Sequence, residues 1–475
     1  MPTTATNLSE RLASVVIADR IERNPAALSH YLIDEQAPSV AVKPATAEEA
    51  AEVVRFALKE NLAIIPCGSC SKLQIGNIPV RYDIALDMTA LNQIAHYDPG
   101  DLTVSIDAGC RLKTIAATLN PQNQFLPLPS AYGENATVAG TIASGVDSHL
   151  RQFYGTARDF LVGAEFIDGT GAQCKSGGRV VKNVTGYDLH KLLIGSLGTL
   201  GIITRLNFRT FPSLNSHGSQ TETFTADFAD ANSAVEFRQK IAASPFTPDA
   251  IEILSPETVA MTDGSAQSGP PSQLKTWQVV IAFHGTPELR ARYGKALSEF
   301  SNQKGIISSS TSEPPAFHAI AHLRRATHFA TIFKITQLPE KLPDLFAALR
   351  AIGDQAHMPH ALFARAVGVI HFALLPADPS IHLAQAQVQA ALDPHEVAQM
   401  LQAEHNQIFS ALRDAAKKIF VMCSEKNAAA QIIFAPTQLK RELPLLGPDR
   451  PDIPSMRKLK SAFDPQNIFA PSRLL

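Results

Sequence analysis

The order strand, helix, strand between residues 40 and 66 constrains the fold of this chain more than any other feature. Val40–Val42 is a short apolar run, residues 45–60 carry apolar side chains at helical spacing after a Thr46 N-cap, and Ala63–Pro66 is a second apolar run. Two strands joined by a helix form a βαβ unit, which favours an α/β class for this region. Further predicted elements are strands at Ile84–Asp87 and Thr103–Asp107 and a helix at Lys113–Leu119.

The pattern changes after residue 160. Short apolar runs alternate with glycines between residues 160 and 210, which predicts antiparallel strands around a short helix. From about Pro212 the composition loosens into Ser, Thr, Asn, Gly and Pro, which indicates a boundary, so we expect a second α+β domain with a mostly antiparallel sheet. Its predicted strands are Asp249–Leu254, Gln278–Phe283, Thr331–Thr336 and Val367–Leu374, and its predicted helices are Pro287–Phe300, Leu342–Ile352 and residues 381–418.

Composition narrows the class of protein. A chain of 475 residues is long enough for several domains, and a net charge of −2 gives no reason to expect nucleic acid or an anionic membrane as the main partner. Five cysteines, an odd number without a dense framework, favour a reducing compartment. The first residues lack the continuous apolar core of a secretory signal, and no apolar run approaches the roughly 20 residues that cross a bilayer. We expect a cytoplasmic protein, with peripheral attachment to the inner membrane through partners left open.

The first candidate cofactor segment is the loop after the second apolar run. It consists of Cys67, Gly68, Ser69, Cys70, Ser71 and Lys72. Small residues let a loop turn sharply with its backbone N–H groups pointing inward, an arrangement that suits a pyrophosphate. A simple connecting turn explains the same residues, so this loop alone does not decide the function.

The second candidate segment lies between residues 132 and 159. Its small and charged residues are Thr137, Gly140, Thr141, Ser144, Gly145, Gly155, Arg158 and Asp159. Clustered Thr, Ser and Gly residues can supply many backbone donors where an anionic cofactor and a flat ring must approach closely. A glycine-rich segment that packs helices is the competing interpretation.

A third segment makes a family resemblance visible. It runs from Gly178 to Leu189, containing Gly-Tyr-Asp-Leu, and continues as Gly195–Ile203, containing Gly-Thr-Leu-Gly-Ile. The three segments, in this order and spacing, resemble the FAD-binding domain of the vanillyl-alcohol oxidase and p-cresol methylhydroxylase (PCMH) type. The subgroup that they resemble contains glycolate oxidase subunits, D-lactate dehydrogenases and D-2-hydroxyglutarate dehydrogenases. The resemblance covers about residues 35–214, and the sequence FDPQNIFAPSR resembles the family's C-terminal return to the flavin domain.

The resemblance implies a division of the chain and a set of cofactor residues. It implies a fold of class α+β, with a two-subdomain PCMH-type FAD-binding domain and an α+β cap domain that carries an antiparallel sheet. The expected ranges are 1–34 for an N-terminal helical segment, 35–214 for the FAD domain, 215–380 for the cap, 381–450 for a helical segment and 451–475 for the return. Residues 67–72 would hold the pyrophosphate, and the second segment would follow the diphosphate and flavin. The adenine and ribose side would be held by Gly198, Gly201, Ile202 and Ile203.

The first loop departs from relatives that attach FAD covalently through a histidine. Here the only nucleophiles in the loop are Cys67 and Cys70, so we expect FAD to be bound non-covalently. The Cys-x-x-Cys spacing also suits a redox or iron–sulfur role, but one pair supplies only two of the four ligands that a cluster or structural zinc requires. A tight turn of small residues is therefore the favoured interpretation of the pair.

The second domain departs from the metal motif of the hydroxy-acid dehydrogenases. Their motif resembles His-x-Gly-Asp-Gly-Asn-x-His, in which two histidines help to hold a divalent metal. The best match here is residues 364–371, which keeps only Gly368 and His371, so no metal site is expected. Val367 and Val369 favour an ordinary strand, with His371 at the edge of the core. Arg365 and His371 remain the candidate catalytic residues.

These features leave three hypotheses. The first is an FAD-binding subunit like that of glycolate oxidase, which moves electrons from a 2-hydroxy acid such as glycolate or D-lactate within a complex. Its expected partners are a related flavin subunit and an iron–sulfur subunit, with the substrate bound at the level of the complex. The second is a self-sufficient, metal-independent FAD-linked alcohol or hydroxy-acid dehydrogenase or oxidase. The third is a structural subunit in which FAD only stabilises the fold.

Overall fold

The computed structural model describes residues 3–129, 132–179, 186–215, 219–263, 276–301, 306–310, 314–365, 367–377, 394–448 and 450–475. The chain divides into two units, residues 1–216 together with 450–475, and residues 217–449. Each unit has its own hydrophobic core. Residues 180–185 of the third segment, Ala366 of the metal-motif match and the first part of the predicted helix 381–418 lie outside the described residues.

The first unit contains eight α-helices and eleven strands within the described residues. The helices are α1 (Thr3–Leu12), α2 (Pro25–Leu28), α3 (Ala47–Glu60), α4 (Leu112–Leu119), α5 (Val138–Ser144), α6 (Arg151–Tyr154), α7 (Ala157–Phe160) and, numbered last in the chain, α15 (Ile453–Phe463). The strands are β1 (Ile21–Glu22), β2 (Val40–Val42), β3 (Ile64–Cys67), β4 (Ile84–Asp87), β5 (Ile94–Asp98), β6 (Thr103–Asp107), β7 (Gln124–Phe125), β8 (Leu161–Ile167), β9 (Gln173–Gly177), β10 (Ile202–Arg209) and β11 (Phe211–Pro212).

The predicted βαβ unit forms a small, mostly parallel sheet. Its strand order is β1-β2-β4-β3, and both β2 and β3 pair with β4 in parallel. Helix α3 begins after Thr46, whose side-chain oxygen accepts a hydrogen bond from the N–H of Glu49 at 3.1 Å. The helix ends at Glu60, and the C-cap residue Asn61 adopts a left-handed conformation with φ of 51°. The prediction of strand, helix and strand is therefore confirmed, with β4 inserted between the two strands.

A second sheet carries the antiparallel strands predicted between residues 160 and 210. Its order is β5-β6-β10-β8-β9, and every neighbouring pair is antiparallel. Strand β10 lies at the centre and is almost entirely buried, because its residues alternate between two covered faces. Strand β5 was not predicted.

Residues 464–475 return to the parallel sheet. The N–H of Ile64 donates to the carbonyl of Ile468 at 2.7 Å, and the N–H of Ala470 donates to the carbonyl of Ile64 at 2.8 Å. Asp464 is buried and accepts hydrogen bonds from the N–H groups of Ile468 and Phe469. Lys460 forms an ion pair with Asp464 and also donates to a backbone carbonyl of this return. The segment thus pairs with β3 through one parallel bridge between Ile64 and Phe469.

The second unit is built on one eight-stranded antiparallel sheet in the order β15-β12-β14-β13-β17-β18-β16-β19. The strands are β12 (Gln220–Phe228), β13 (Ala250–Leu254), β14 (Trp277–Gly285), β15 (Ile306–Ser310), β16 (Thr331–Thr336), β17 (His360–Arg365), β18 (Val369–Leu374) and β19 (Ala429–Phe434). The helices are α8 (Ala231–Ala242), α9 (Pro256–Asp263), α10 (Pro287–Phe300), α11 (Ala319–Arg325), α12 (Leu342–Gln355), α13 (Pro394–Glu425) and α14 (Thr437–Glu442). The expected α+β class with an antiparallel sheet is confirmed.

One predicted strand is shorter than expected. The sequence favoured a strand from Val367, but β18 begins at Val369 and Val367 is 37% exposed in the turn after β17. Gly368 adopts φ of 81°, a conformation that glycine reaches without strain, and its N–H closes the turn on the carbonyl of Arg365. The apolar valine therefore marks a hairpin turn rather than a strand.

Candidate cofactor-binding site

A cavity in the first unit lies where the three candidate segments converge. It encloses about 790 Å³, including space open to solvent. The predicted cofactor residues that line it are Cys67, Gly68, Ser69, Cys70, Ser71, Lys72, Thr137, Gly140, Ser144, Gly198, Gly201 and Ile203.

The first loop and the start of α5 approach each other as closely as a glycine allows. A Cβ added to Gly68 would lie 2.0 Å from Oγ1 of Thr137, and one added to Gly140 would lie 2.9 Å from the same atom. Thr137 is the N-cap residue of α5 and is buried. Glycine at positions 68 and 140 therefore makes room for the Thr137 side chain, which lets the first loop pack closely on α5.

The third segment packs against the first loop in the same manner. Gly198 has φ of 74°, and an added Cβ would lie 2.4 Å from Cγ of Pro66. At Gly201 the added Cβ would lie 3.0 Å from the carbonyl oxygen of Ile167. Glycines separated by more than a hundred residues thus meet around one space.

The positively charged side chain of Lys72 lines this cavity. Nζ of Lys72 lies 5.3 Å from the centre of the Tyr132 ring and 3.2 Å from Oγ of Ser71. Lysine is a common partner of phosphate, and a cation over an aromatic face is further stabilised by the ring. The loop can therefore receive the diphosphate of a dinucleotide.

Both cysteines at the cavity are free thiols, and the Cys70 thiol donates to the carbonyl of Gly68 at 3.5 Å. The interaction with the neighbouring Cys67 thiol, followed by burial, raises the pKa of the Cys70 thiol well above its usual range. The Cys67 thiol itself also contacts the carbonyl of Ile65 and the Tyr82 hydroxyl. Because the thiolate is the nucleophile, a raised pKa makes Cys70 a poor attacking group at neutral pH.

Several predicted cofactor residues lie elsewhere. Thr141, Gly145 and Gly155 line a smaller cavity of about 380 Å³ in the same unit. Ile202 is buried within β10, and neither it nor Arg158 belongs to the described lining of either cavity.

Asp159 also lies outside both linings, and it caps a helix instead. Its carboxylate accepts from the N–H of Thr156 at 2.7 Å and completes a capping box at α7. Gly155 leaves room for this contact, because an added Cβ would lie 2.4 Å from the Asp159 carboxylate. The Gly-Thr-Ala-Arg-Asp motif thus has a local structural role, and its assignment to the cofactor stays a prediction.

Arg473 lines the main cavity and was missed by the sequence reasoning. Its guanidinium donates hydrogen bonds to the carbonyls of Leu73, Ile75 and Asn77, in the chain that follows the first loop. The side chain is buried, and burial lowers its pKa to about 10, so it stays charged at neutral pH. Only the resemblance of FDPQNIFAPSR could have indicated that this segment returns to the site.

The candidate catalytic residues of the second unit are both buried. Nε of Arg365 lies 2.7 Å from Oε1 of Glu252, and the two side chains are 4% and 0% exposed. The ring of His371 stacks on Phe363, with centres 4.6 Å apart and planes 11° apart. Lys334 stands directly opposite His371 on the neighbouring strand β16.

The register of the hairpin β17–β18 bears on the metal motif. Ala364 pairs with Ile370 and packs in the apolar core, whereas His371 pairs with Phe363. Successive residues of a strand point to opposite faces, so positions 364 and 371 face opposite sides of the sheet. Within the described ranges, no three or more His, Cys, Asp or Glu side chains gather as metal ligands would.

No described helix has the length and apolar character needed to cross a bilayer.

Family comparisons agree with this geometry. Residues 38–177 match the FAD binding domain family, and residues 447–474 match the C-terminal domain of FAD linked oxidases. The chain is 38% identical to glycolate oxidase subunit GlcE of Escherichia coli over 34% of its own length and 46% of that subunit's. It is 24% identical to glycolate oxidase subunit GlcD of Bacillus subtilis over 92% of its length and 89% of that subunit's.

A solved structure shares the fold. That of p-cresol methylhydroxylase with substrate bound superposes with a TM-score of 0.72, covering 99% of this chain and 96% of the other. The sequence identity is 18%, so the likeness concerns the fold alone. The expected PCMH-type architecture is confirmed.

Proposed function

Since the chain carries an FAD-binding domain and the C-terminal domain of FAD-linked oxidases, it is a flavoprotein, and we propose that it is the FAD-binding subunit of a 2-hydroxy-acid oxidoreductase. In this proposal electrons pass from glycolate or D-lactate through flavin to an iron–sulfur partner. Two relatives named as glycolate oxidase subunits support it, one over most of its length and one over less than half.

The cavity of the first unit is the observation that carries the proposal. Gly68, Gly198 and Gly201 let the walls of the cavity pack closely, because an added Cβ at each would lie 2.0–3.0 Å from another residue of the protein. Lys72 supplies a positive charge at the cavity. These residues would hold FAD and orient it. When bound, FAD supplies the two-electron chemistry that amino-acid side chains lack.

We further propose that the cofactor is held without a covalent bond. The described lining of the cavity contains no histidine, and its nucleophiles are the thiols of Cys67 and Cys70. The raised pKa of Cys70 keeps that thiol protonated and therefore unreactive. Acid precipitation of the purified protein should leave all yellow colour in the supernatant, whereas colour in the pellet would refute non-covalent binding.

The buried pair Arg365–Glu252 favours a subunit that relies on a partner for substrate. An arginine already neutralised by a buried carboxylate has little charge left for a substrate carboxylate. The stack of His371 on Phe363 gives that histidine a packing role. Substrate would then be bound by the related flavin subunit, and this chain would carry electrons.

One observation favours the self-sufficient dehydrogenase as a second candidate. Lys334 and His371 are cross-strand partners on the sheet face opposite the apolar core. A lysine can hold a carboxylate, and a histidine has the pKa range of a general base for a hydroxyl. In this candidate Lys334 binds the 2-hydroxy acid and His371 takes its proton.

Anaerobic spectra distinguish the candidates. The purified chain is mixed with glycolate or D-lactate, first alone and then co-purified with its partners, and the flavin absorbance is followed. Bleaching only in the complex supports the subunit. Bleaching by the isolated chain that is lost in Lys334→Met and His371→Gln, but kept in the exposed control Lys341→Met, supports the second candidate. Flavin that stays oxidised in both preparations would refute both and leave the structural role.

A further inference from the structure

Arg473 ties two distant parts of the first unit together at the cofactor cavity. Its guanidinium donates to the carbonyls of Leu73, Ile75 and Asn77, and the same side chain lines the cavity. We propose that Arg473 is a positioning residue that couples the docking of residues 464–475 to FAD binding. This inference rests on FAD occupying the cavity proposed above.

The stretch that Arg473 holds has no regular structure of its own. Residues 73–80, between β3 and β4, form turns and irregular chain, so their carbonyls depend on partners outside the stretch. The backbone bonds run in the other direction as well, since the N–H of Asn77 donates to the carbonyl of Arg473 at 2.9 Å and that of Val80 to Pro471 at 3.3 Å. A planar guanidinium with five donors can serve three carbonyls at once, which a lysine ammonium reaches less well.

The docked segment adopts a backbone that requires support. Asn467, Ala470 and Ser472 have φ of 53°, 42° and 67°, the left-handed region that residues with a Cβ disfavour. Ala470 is also fully buried. Such conformations persist only where surrounding contacts determine them. The contacts with residues 73–80 therefore hold the segment, just as the segment holds them.

The loop that Arg473 organises continues directly from the cofactor loop 67–72. A cofactor that orders residues 67–72 favours the arrangement of the next residues that Arg473 recognises. Coupling between two binding events is reciprocal, so docking of the segment strengthens FAD binding and FAD strengthens docking by the same factor. The buried guanidinium also places a positive charge beside a cavity that would receive a diphosphate.

The test compares the FAD dissociation constant of wild-type apoprotein with those of three variants, measured by flavin fluorescence. Arg473→Met should weaken binding at least about tenfold, which corresponds to about 1.4 kcal/mol. Arg473→Lys should recover part of the loss, because it keeps the charge and some donors. Arg457→Met, an exposed arginine on α15, is the matched control and should stay within about twofold of wild type.

Hydrogen exchange provides a readout that is independent of catalysis. FAD should slow exchange of the peptide 467–475 in wild-type protein and much less in Arg473→Lys. Unchanged affinity in Arg473→Met, with only a lower stability of the apoprotein, would show a purely structural role and overturn the coupling. If Arg473→Met does not fold, Arg473→Lys serves as the test instead. Protection of the peptide 467–475 by FAD that is as strong in Arg473→Lys as in wild-type protein would then overturn the coupling.

A cavity variant separates failure of this inference from failure of the proposed site. Gly68→Val should abolish FAD binding, because its side chain would overlap Thr137. Loss of FAD in Gly68→Val with unchanged affinity in Arg473→Met would refute only the coupling. Unchanged affinity in Gly68→Val would instead show that FAD lies elsewhere, and the proposed site would fail first.

Discussion

Replacing Gly198 with alanine tests the close packing on which the candidate site depends. Gly198 has φ of 74°, and a left-handed conformation costs about 1–2 kcal/mol for a residue with a Cβ. The new methyl group would also lie 2.4 Å from Cγ of Pro66, and overpacking of this kind costs about 1–3 kcal/mol. We therefore expect Gly198→Ala to lower the free energy of unfolding by about 2–5 kcal/mol.

Gly195 provides the matched control. Its φ is 75°, almost identical to that of Gly198, but the nearest atom to an added Cβ is Cα of Gly145 at 3.8 Å, an ordinary contact. Gly195→Ala should therefore lose only the conformational term of about 1–2 kcal/mol. The difference between the two variants isolates the contact with Pro66.

Urea unfolding of the two apoproteins measures this difference, and FAD titration measures its effect on the site. Gly198→Ala should be less stable than Gly195→Ala by about 1–3 kcal/mol and should bind FAD more weakly, because Pro66 and Gly198 both line the cavity. Equal losses in the two variants would show that Pro66 moves aside at no cost. Packing against Pro66 would then not require glycine at position 198.

Three further predictions concern thiols, pH and metal. Alkylation of Cys70 should be slow at neutral pH, because the pKa of its thiol is raised. FAD should slow alkylation of Cys70 further and leave that of Cys174 unaffected, because only Cys70 lines the cavity. Equal effects of FAD on both cysteines would contradict the binding of FAD in this cavity. A hydrogen bond to Asp249 raises the pKa of His284 above 6.5. The free energy of unfolding lost in His284→Gln should therefore be largest below pH 6.5 and should decline as the pH rises. A loss that does not depend on pH would refute the pairing of His284 with Asp249. Removal of divalent metals with a chelator should leave the reduction of flavin unchanged. A loss of reduction that zinc or manganese restores would show that the hairpin β17–β18 contributes to a metal site after all.

Local patterns in the sequence predicted local structure well. The helical spacing after Thr46 gave α3 and its cap, because capping and amphipathic spacing depend on neighbours within one turn. The insertion of β4 between β2 and β3 could not be predicted, since strand pairing depends on contacts between distant residues. Strand β12 could not be predicted for the same reason. Its Thr-rich sequence resembles a linker, and only its pairing with β14 and β15 identifies it as a strand.

The candidate site shows the same division. The glycines at positions 68, 140, 198 and 201 could be identified as places where backbone must approach closely, and the structure brings them to one cavity. Asp159 was assigned to the cofactor by resemblance, but its carboxylate caps α7. Arg473 could not be found from spacing, because about 400 residues separate it from the loop that it binds.

The return of residues 464–475 to β3 has a consequence for biosynthesis. Ile64 takes its hydrogen-bond partner from Ile468, about 400 residues later in the chain. At about 5–20 residues per second, a ribosome needs about 20–80 s to make that stretch. During this interval one edge of the parallel sheet is unpaired, and such edges attract other chains. The first unit is thus the part of the nascent chain that we expect a chaperone to protect until residues 464–475 have been made.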